Sequence, residues 1–134
     1  MGYDFDNNTP IYIQIVEYLK LQIIKGELAP NQRLLSVREL SLNLGANPNT
    51  IQKALSELED MGLIYTERTN GKFVTNDIEL IASIRNKEIR TMIDNFYDSM
   101  HKLGLDVSEV LQILNSQRSN YGYFTDKECF KKFW

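Results

Sequence analysis

The stretch from Asn47 to Gly62, NPNTIQKALSELEDMG, constrains the fold of this chain most strongly. Asparagine is a good helix N-cap, proline suits the first helical position, and glycine supplies the left-handed residue that ends a helix. Apolar residues within the stretch recur at helical spacing. The pattern therefore predicts a short helix with one buried stripe, formed by Ile51, Ala54, Leu55, Leu58 and Met61.

The opposite face of this predicted helix is short, polar and rich in amides. An amide can donate and accept hydrogen bonds together, which suits the edge of an adenine in the DNA major groove. An ordinary solvated face would have the same composition, because polar outer faces are the norm. The flanking segments must decide between these interpretations. The face comprises Asn49, Thr50, Gln52, Lys53 and Ser56.

A second short helix is predicted just before this one. Ser36 and Glu39 form a capping box, in which the hydroxyl and the carboxylate each satisfy a free N–H at the helix start. The box opens the run VRELSLNL, which Gly45 ends. Two short helices joined by a tight turn containing glycine are typical of a helix-turn-helix. The inward residues of the first of them are Val37, Leu40 and Leu44.

The periodicity changes after the second helix. Residues 63–66 and 72–75 favour two strands, and the Asn70-Gly71 pair between them favours a hairpin because both positions accept positive φ. A helix-turn-helix followed at once by a hairpin is a winged helix-turn-helix. Arg68 and Lys72 near the hairpin tip suit contact with a phosphate backbone or minor groove, although cations at an exposed turn also serve solubility.

The residues before the helix-turn-helix predict one further helix. Thr9 and Pro10 suit the N-cap and the first helical position, and Gly26 ends the pattern, so we expect a helix over about 10–25. Residues 1–8 are polar and acidic, which predicts a disordered or loosely attached arm and does not resemble a signal peptide. The expected inward face comprises Ile11, Ile15, Tyr18, Leu19, Gln22 and Ile23.

Composition limits the classes of function. The 134 residues are 43% hydrophobic and 25% charged, as in an average soluble protein, and no apolar run is long enough for a membrane span. The single cysteine excludes an internal disulfide and fits a cytoplasmic location. One cysteine and one histidine argue against a zinc site. His101 is expected to be a surface residue favoured by the dipole of its helix.

The net charge of −3 argues against bulk attraction to nucleic acid, so the distribution of charge matters more. Residues 33–75 hold five basic and five acidic side chains. Glu57, Glu59 and Asp60 lie at the end of the Asn47 helix, away from its N-terminal half. The cations that remain around that half are Arg33, Arg38, Lys53, Arg68 and Lys72.

This ordered set of motifs resembles the DNA-binding domain of the GntR family of bacterial transcription regulators, and within it the YtrA-like subfamily. The resemblance runs from Pro10 to Val74 and rests on PIYIQI, GELAPNQRLLSVRELS, NPNTIQKALSELEDMGLI and NGKFV. The chain departs from the family pattern at three positions. Leu35 replaces a proline, Pro48 replaces an arginine that reads a base, and Thr69 replaces a glycine of the wing.

The resemblance implies which residues lie at DNA. The family positions at DNA match Arg38, Asn49, Thr50, Gln52 and Gly71, and a hydroxyl that caps a helix near a phosphate matches Ser36. The caps and the charges extend this set. The expected DNA-binding residues are Arg33, Ser36, Arg38, Asn47, Asn49, Thr50, Gln52, Lys53, Arg68, Asn70, Gly71 and Lys72.

The second half of the chain predicts two more helices. Asn76 or Asp77 can cap a long helix that ends near Leu103, and Asp106 with Glu109 can cap a shorter one. Two helices in about 40 residues enclose little core, so we expect a homodimer in which the long helices pack together. The alternative is a monomer whose long helix folds back on the first helix. The expected dimerisation residues are Ile89, Met92, Ile93, Phe96, Met100, Leu103, Phe130, Phe133 and Trp134.

The last of these residues belong to the tail SNYGYFTDKECFKKFW. Thr125 and Glu128 form another capping box there, and the aromatic residues fall at helical spacing. We expect an amphipathic turn that packs into a groove of the dimer; a ligand or a partner surface is the alternative. Cys129 is expected to be a packed thiol, because no second cysteine is present to resolve an oxidised form.

These patterns predict a mainly α-helical chain with two domains. A winged helix-turn-helix with a small β-hairpin wing is expected over 1–75, and a short helical dimerisation domain with an aromatic tail over 76–134. The expected function is a sequence-specific transcription regulator, a homodimeric repressor that binds an inverted repeat in double-stranded DNA. The alternative is a winged-helix module for protein–protein assembly, which the acidic end of the Asn47 helix favours.

The sequence gives no indication of an enzyme. We find no nucleophile with its base, no phosphate-binding glycine loop and no convincing pair of carboxylates. No cofactor, metal or membrane partner is expected. A small-molecule effector remains open, since the second domain is too small for a conventional pocket but could bind a ligand between subunits.

Overall fold

The computed structural model of the chain describes residues 2–117. The elements are helices α1 (Ile11–Lys25), α2 (Val37–Leu44) and α3 (Pro48–Asp60), strands β1 (Ile64–Glu67) and β2 (Gly71–Val74), and helices α4 (Ile78–Lys102) and α5 (Val107–Gln117). The prediction of a mainly helical winged helix-turn-helix is confirmed. The chain divides after Arg85 into two compact units, so α4 begins in the first and ends in the second. The expected division of roles between 1–75 and 76–134 stays a prediction.

The starts of α2 and α3 follow from their capping residues, as predicted. The Ser36 Oγ accepts a hydrogen bond from the Glu39 backbone N–H, and the Ser36 N–H donates to the Glu39 carboxylate, both at 3.1 Å. The Asn47 side-chain oxygen accepts from the Asn49 N–H at 2.8 Å, and Pro48 is the first residue of α3. These bonds fix where the two helices begin.

The core of the first unit lies between α1, α2, α3 and the two strands. Met61 and Ile11 were predicted to face inward but are 37% and 44% exposed. Each lies at an end of its helix, where the core no longer covers it. Val16, in the middle of α1, is buried although the sequence did not place it on the inward face. The fully buried large side chains are Ile15, Ile51, Leu55, Leu58, Leu63, Ile64 and Val74.

Strands β1 and β2 pair antiparallel, with Glu67 opposite Gly71 at the tip. Both strands lie one residue closer to the hairpin tip than predicted. Residues 68–70 form the loop, and Gly71 has a φ of 103°. The predicted positive φ at Asn70 is wrong: its N–H bonds back to the Glu67 carbonyl at 3.2 Å, and only the glycine takes the left-handed conformation.

The connector between α1 and α2 pairs with β2, which the sequence did not predict. The Leu34 N–H donates to the Lys72 carbonyl at 2.8 Å, and the Val74 N–H donates to the Gln32 carbonyl at 2.9 Å. Arg33 lies between these two bonds and bridges to β2. The connector therefore ties the wing to the start of α2.

The arm before α1 is attached to the first unit, contrary to the prediction. The Tyr3 N–H donates to the Leu44 carbonyl at 3.0 Å, and the Tyr3 ring lies 4.8 Å from that of Phe5 and 4.9 Å from that of Tyr18. The ring contacts of Tyr3 and the backbone bond to Leu44 hold the arm against the first unit, although its sequence is mostly polar.

Helix α1 begins one residue later than predicted. Pro10 takes the N-cap position in an extended conformation and makes no side-chain capping bond. Thr9, the predicted cap, instead donates its N–H to the Asp6 carboxylate at 3.0 Å and accepts from the Gln14 side chain at 2.7 Å. The Gln14 amide thus organises the turn that a hydroxyl cap was expected to make.

The caps predicted for the two helices that follow the wing are present, one in each unit. The Glu109 N–H donates to the Asp106 carboxylate at 2.8 Å, and the Asp106 N–H donates to the Glu109 carboxylate at 3.3 Å, so the capping box that opens α5 is confirmed. Asp77, in the first unit, caps α4 by accepting from the Leu80 N–H at 3.1 Å. Phe130, Phe133, Trp134 and Cys129 lie outside the described residues.

The dimerisation residues predicted for α4 are open to solvent in the single chain. Met92 is 60% exposed, Ile93 48% and Phe96 39%, and Leu103 just after the helix is 74% exposed. Ile89 and Met100 are partly exposed. Within residues 2–117, no helix is long and apolar enough to cross a membrane, and no group of histidine, cysteine, aspartate and glutamate is arranged to hold a metal.

Candidate nucleic-acid interface

The outer face of α3 is built by the same periodicity that buries its inner stripe. Ile51 is fully buried, while Asn49 and Gln52 are exposed and Thr50 is partly exposed. Asn47 is exposed too, but its side-chain oxygen is engaged by the Asn49 N–H, which leaves its amide donors for any other contact. The amides predicted to face DNA from α3 and its N-cap are therefore all on the surface, at the N-terminal half of that helix.

Lys53 belongs to the same face but is directed to one side of it. Its Nζ lies 3.9 Å from the centre of the Tyr12 ring, within the range of a cation–π interaction. Tyr12 is the second residue of α1 and is partly buried against the core. The sequence did not predict this contact, because nothing in the spacing of the two residues places α1 beside α3.

The start of α2 presents a hydroxyl and cations beside a carboxylate. Ser36 and Arg38 are both exposed. The bond that Glu39 accepts from the Ser36 backbone holds the pKa of its carboxyl below 4.5, with a second bond to the Ser36 hydroxyl and the charge of Arg33 acting in the same direction. The capping carboxylate is therefore ionised at neutral pH and offsets part of the local positive charge.

The wing carries Arg68 and Asn70 in its exposed loop. The Asn70 side-chain N–H donates to the Glu67 carboxylate at 3.1 Å, which orders the tip. The Arg33 guanidinium lies over Gly71: a Cβ at that glycine would be 3.4 Å from the Arg33 Nε. Any other residue at position 71 would have a strained φ, and its side chain would contact this guanidinium.

Lys72 was predicted to contact DNA, but the structure directs it along the wing. Its Nζ donates to the Thr66 hydroxyl at 2.8 Å and lies 3.5 Å from the Glu59 carboxylate. The Thr66 hydroxyl donates to Glu59 at 2.6 Å, and this bond first, then Lys72, lowers the pKa of the Glu59 carboxyl. The Lys72 charge is thus partly neutralised, and the wing is joined to the C-terminal half of α3.

A cleft of about 320 Å³ lies between the connector, the start of α2 and the wing. It brings together five of the predicted DNA-binding residues from two separated segments of the chain. Apolar side chains, among them Leu35 and Val37, form part of its wall. The predicted residues that line it are Arg33, Ser36, Arg68, Gly71 and Lys72.

Comparison with known proteins identifies the relatives of this fold. Residues 11–74 match the family of "Bacterial regulatory proteins, gntR family". An uncharacterised HTH-type transcriptional regulator of Bacillus subtilis, YhcF, is 35% identical over 112 residues, which are 84% of this chain and 93% of that protein. The HTH-type transcriptional repressor YtrA of the same species is 44% identical over 71 residues, 53% of this chain and 55% of the repressor.

Solved structures are similar to this chain over most of its length. A GntR family transcriptional regulator from Listeria monocytogenes is 39% identical and superimposes with a TM-score of 0.79, over 84% of this chain and 98% of that one. The similarity therefore continues beyond the winged helix-turn-helix and into the two following helices.

Proposed function

The chain belongs to the gntR family of bacterial regulatory proteins and is a DNA-binding transcription regulator; we propose that it works as a homodimeric repressor on an inverted-repeat operator. The observation that supports this most is the exposed amide-bearing half of α3, which lies between the start of α2 and the wing in sequence and carries no apolar side chain on its outer face. Such a face suits base edges in a major groove.

In this proposal the residues divide into two groups. Asn49, Thr50 and Gln52 read base edges from α3, where each good contact contributes on the order of 1–3 kcal/mol of discrimination. Contacts to phosphate supply affinity without sequence information. The residues proposed for them are Arg33, Ser36 and Arg68, while Arg38 either holds a phosphate or reads a guanine.

The homodimer is proposed from the apolar side chains that the single chain leaves exposed on the later part of α4. Met92, Ile93 and Phe96 are exposed apolar side chains within five positions of one helix, and clustered exposed apolar side chains mark interaction sites. Two copies related by a twofold axis would bury this surface and would place two recognition helices at equivalent half-sites. The operator is then an inverted repeat with half-sites about one helical turn apart.

Repression, as opposed to activation, is proposed from the YtrA relative. That protein is named a transcriptional repressor, and it shares 44% of 71 residues with this chain. A bound dimer of this size can block access of other proteins to the DNA that it covers. Reporter expression from a promoter carrying the operator, with and without the protein, tests the direction of the effect: higher expression with the protein present contradicts repression.

The DNA-binding proposal is tested by selection from a random duplex library followed by a salt titration. We expect enrichment of an inverted repeat, and an affinity that falls steeply as salt rises because counterions are released from the phosphates. A flat response to salt, with no enriched sequence, would support the alternative of a protein–protein assembly module.

A further inference from the structure

We propose that Tyr12 is a positioning residue that holds Lys53 against the DNA backbone, so that Lys53 supplies affinity and does not read base sequence. The inference rests on the proposed function, in which the outer face of α3 lies at DNA. It assigns to Lys53 a role different from that of the amides beside it, and it assigns to α1 a part in DNA binding.

The contact itself is the first support. The Lys53 Nζ lies 3.9 Å from the centre of the Tyr12 ring, and that ring is partly buried against the core and so has little freedom. A lysine side chain has four rotatable bonds, and its ammonium samples a wide volume unless something holds it. An aromatic face attracts the ammonium without neutralising it. Lys53 thus keeps its full charge at a fixed place.

The contrast with Lys72 supports the same reading. Lys72 faces the Glu59 carboxylate at 3.5 Å, so part of its charge is already satisfied within the protein. The partner of Lys53 is a ring, which leaves the ammonium N–H groups on the far side of the ring for an anion. Of these two lysines, one on α3 and one on the wing, Lys53 is therefore the one prepared to bind phosphate.

The position of Lys53 around α3 shows which part of the groove it can reach. At about 100° per residue, Lys53 lies roughly 40° from Asn49 on one side, whereas Gln52 lies roughly 60° away on the other. Glu59 falls on the Gln52 side and contacts the wing. Gln52 therefore faces the wing and Lys53 faces α1.

A side chain tethered to α1 is drawn away from the centre line of α3. Base edges lie at the floor of the major groove, where the centre line of a recognition helix points, and phosphates lie along its rims. Lys53, held at the ring of Tyr12, is directed to a rim. The expected contact is an ion pair with a phosphate oxygen, which is sensitive to salt and indifferent to sequence.

The test measures binding of the full chain to two probes: the duplex selected by the wild type from a random library, and a scrambled duplex of the same length. Each variant is titrated over a series of salt concentrations. Lys53→Gln removes the charge, Tyr12→Leu removes the ring, and Tyr12→Phe keeps the ring. Lys25→Gln is the matched control, because it removes one positive charge at the opposite end of α1, about 20 Å from Tyr12.

For Lys53→Gln we expect the slope of log K against log salt to fall by about 1.8 for a dimer that loses one phosphate contact per subunit. The ratio of affinities for the two probes should stay unchanged. Tyr12→Leu should lower the slope in the same direction by a smaller amount, and adding Tyr12→Leu to Lys53→Gln should change nothing further. Tyr12→Phe and Lys25→Gln should match the wild type in slope and in ratio.

A wild-type slope in Lys53→Gln, with a reduced ratio of affinities, would overturn the proposal, because Lys53 would then be a base reader. A wild-type slope in Tyr12→Leu that still unfolds cooperatively would overturn the role of the ring. If Tyr12→Leu fails to fold, the other two variants decide. Lys53→Gln must lower the slope, and Tyr12→Phe, which keeps the ring, must keep the wild-type slope. A lower slope in Tyr12→Phe would overturn the role of the ring. Failure of the wild type to select any duplex contradicts the proposed function itself, a result distinct from all of these.

Discussion

Two neighbouring residues of α3 provide a sharp test of how that helix is oriented. Ile51 is fully buried and Gln52 is exposed, one position apart. Ile51→Ala removes three carbons from a closed site, which costs about 2.4 kcal/mol at about 0.8 kcal/mol per carbon, and the residual cavity raises the cost to about 3–4 kcal/mol. At about 4–8 °C per kcal/mol for a domain of this size, the melting temperature should fall by at least about 12 °C.

Gln52→Ala should give the opposite result. An exposed side chain without a structural partner changes the free energy of unfolding by less than about 0.5 kcal/mol. Discrimination between the selected duplex and one with a substituted base in each half-site should fall, by about 1–3 kcal/mol per lost contact. Thermal unfolding followed by circular dichroism measures the first quantity, and competition binding the second.

The proposed orientation of α3 is refuted if the stability effects of these two variants are the reverse of those expected. A large loss of stability in Gln52→Ala with a silent Ile51→Ala would mean that the amide face of α3 is packed inside the fold. Unchanged affinity and selectivity in Gln52→Ala, with normal stability, would show that this residue does not read the operator.

Three further predictions follow from the caps, the wing and the exposed helix. The folded pKa of Glu39 lies below its ordinary value of 4.5, so its ionised form favours the fold; the contribution is complete above about pH 4.5 and is lost as the pH falls through the folded value. As the pH falls below about 4.5, the wild type should therefore lose more stability than Glu39→Gln, which keeps a capping amide. Equal acid sensitivity of the two proteins would contradict this. Gly71→Ala should destabilise the first unit by about 1–3 kcal/mol in denaturant unfolding because φ is 103° there, while Thr69→Ala in the same loop should be nearly silent; equal effects would refute the strain. Met92→Glu should shift sedimentation from dimer to monomer with little change in helix content, and an unchanged dimer would exclude this face from the interface.

Local rules predicted the elements that are decided locally. The caps at Ser36, Asn47 and Asp106 and the glycines that follow α2 and α3 need only neighbouring residues, and the structure contains each of them. The two wing strands were also predicted, each to within one residue, although the turn type was not. There, Asn70 keeps a negative φ because the three-residue loop needs the left-handed conformation at Gly71 alone.

Contacts between distant segments escaped prediction, because sequence spacing does not say which surfaces meet. Tyr12 lies 41 positions before Lys53, and the ring contact exists only because α1 packs on α3. The pairing of the connector with β2 and the bond from Tyr3 to Leu44 are of the same kind. These contacts redirect a candidate site residue, Lys53, and attach an arm that composition alone marked as loose.

The most direct measurement of the central claim is hydroxyl-radical footprinting of the full chain on the duplex that it selects. Two protected patches related by a dyad, with centres about one helical turn apart, are expected, and both should weaken together for Met92→Glu. A single patch without symmetry, or uniform protection that follows no sequence, would contradict a paired reader of an inverted repeat.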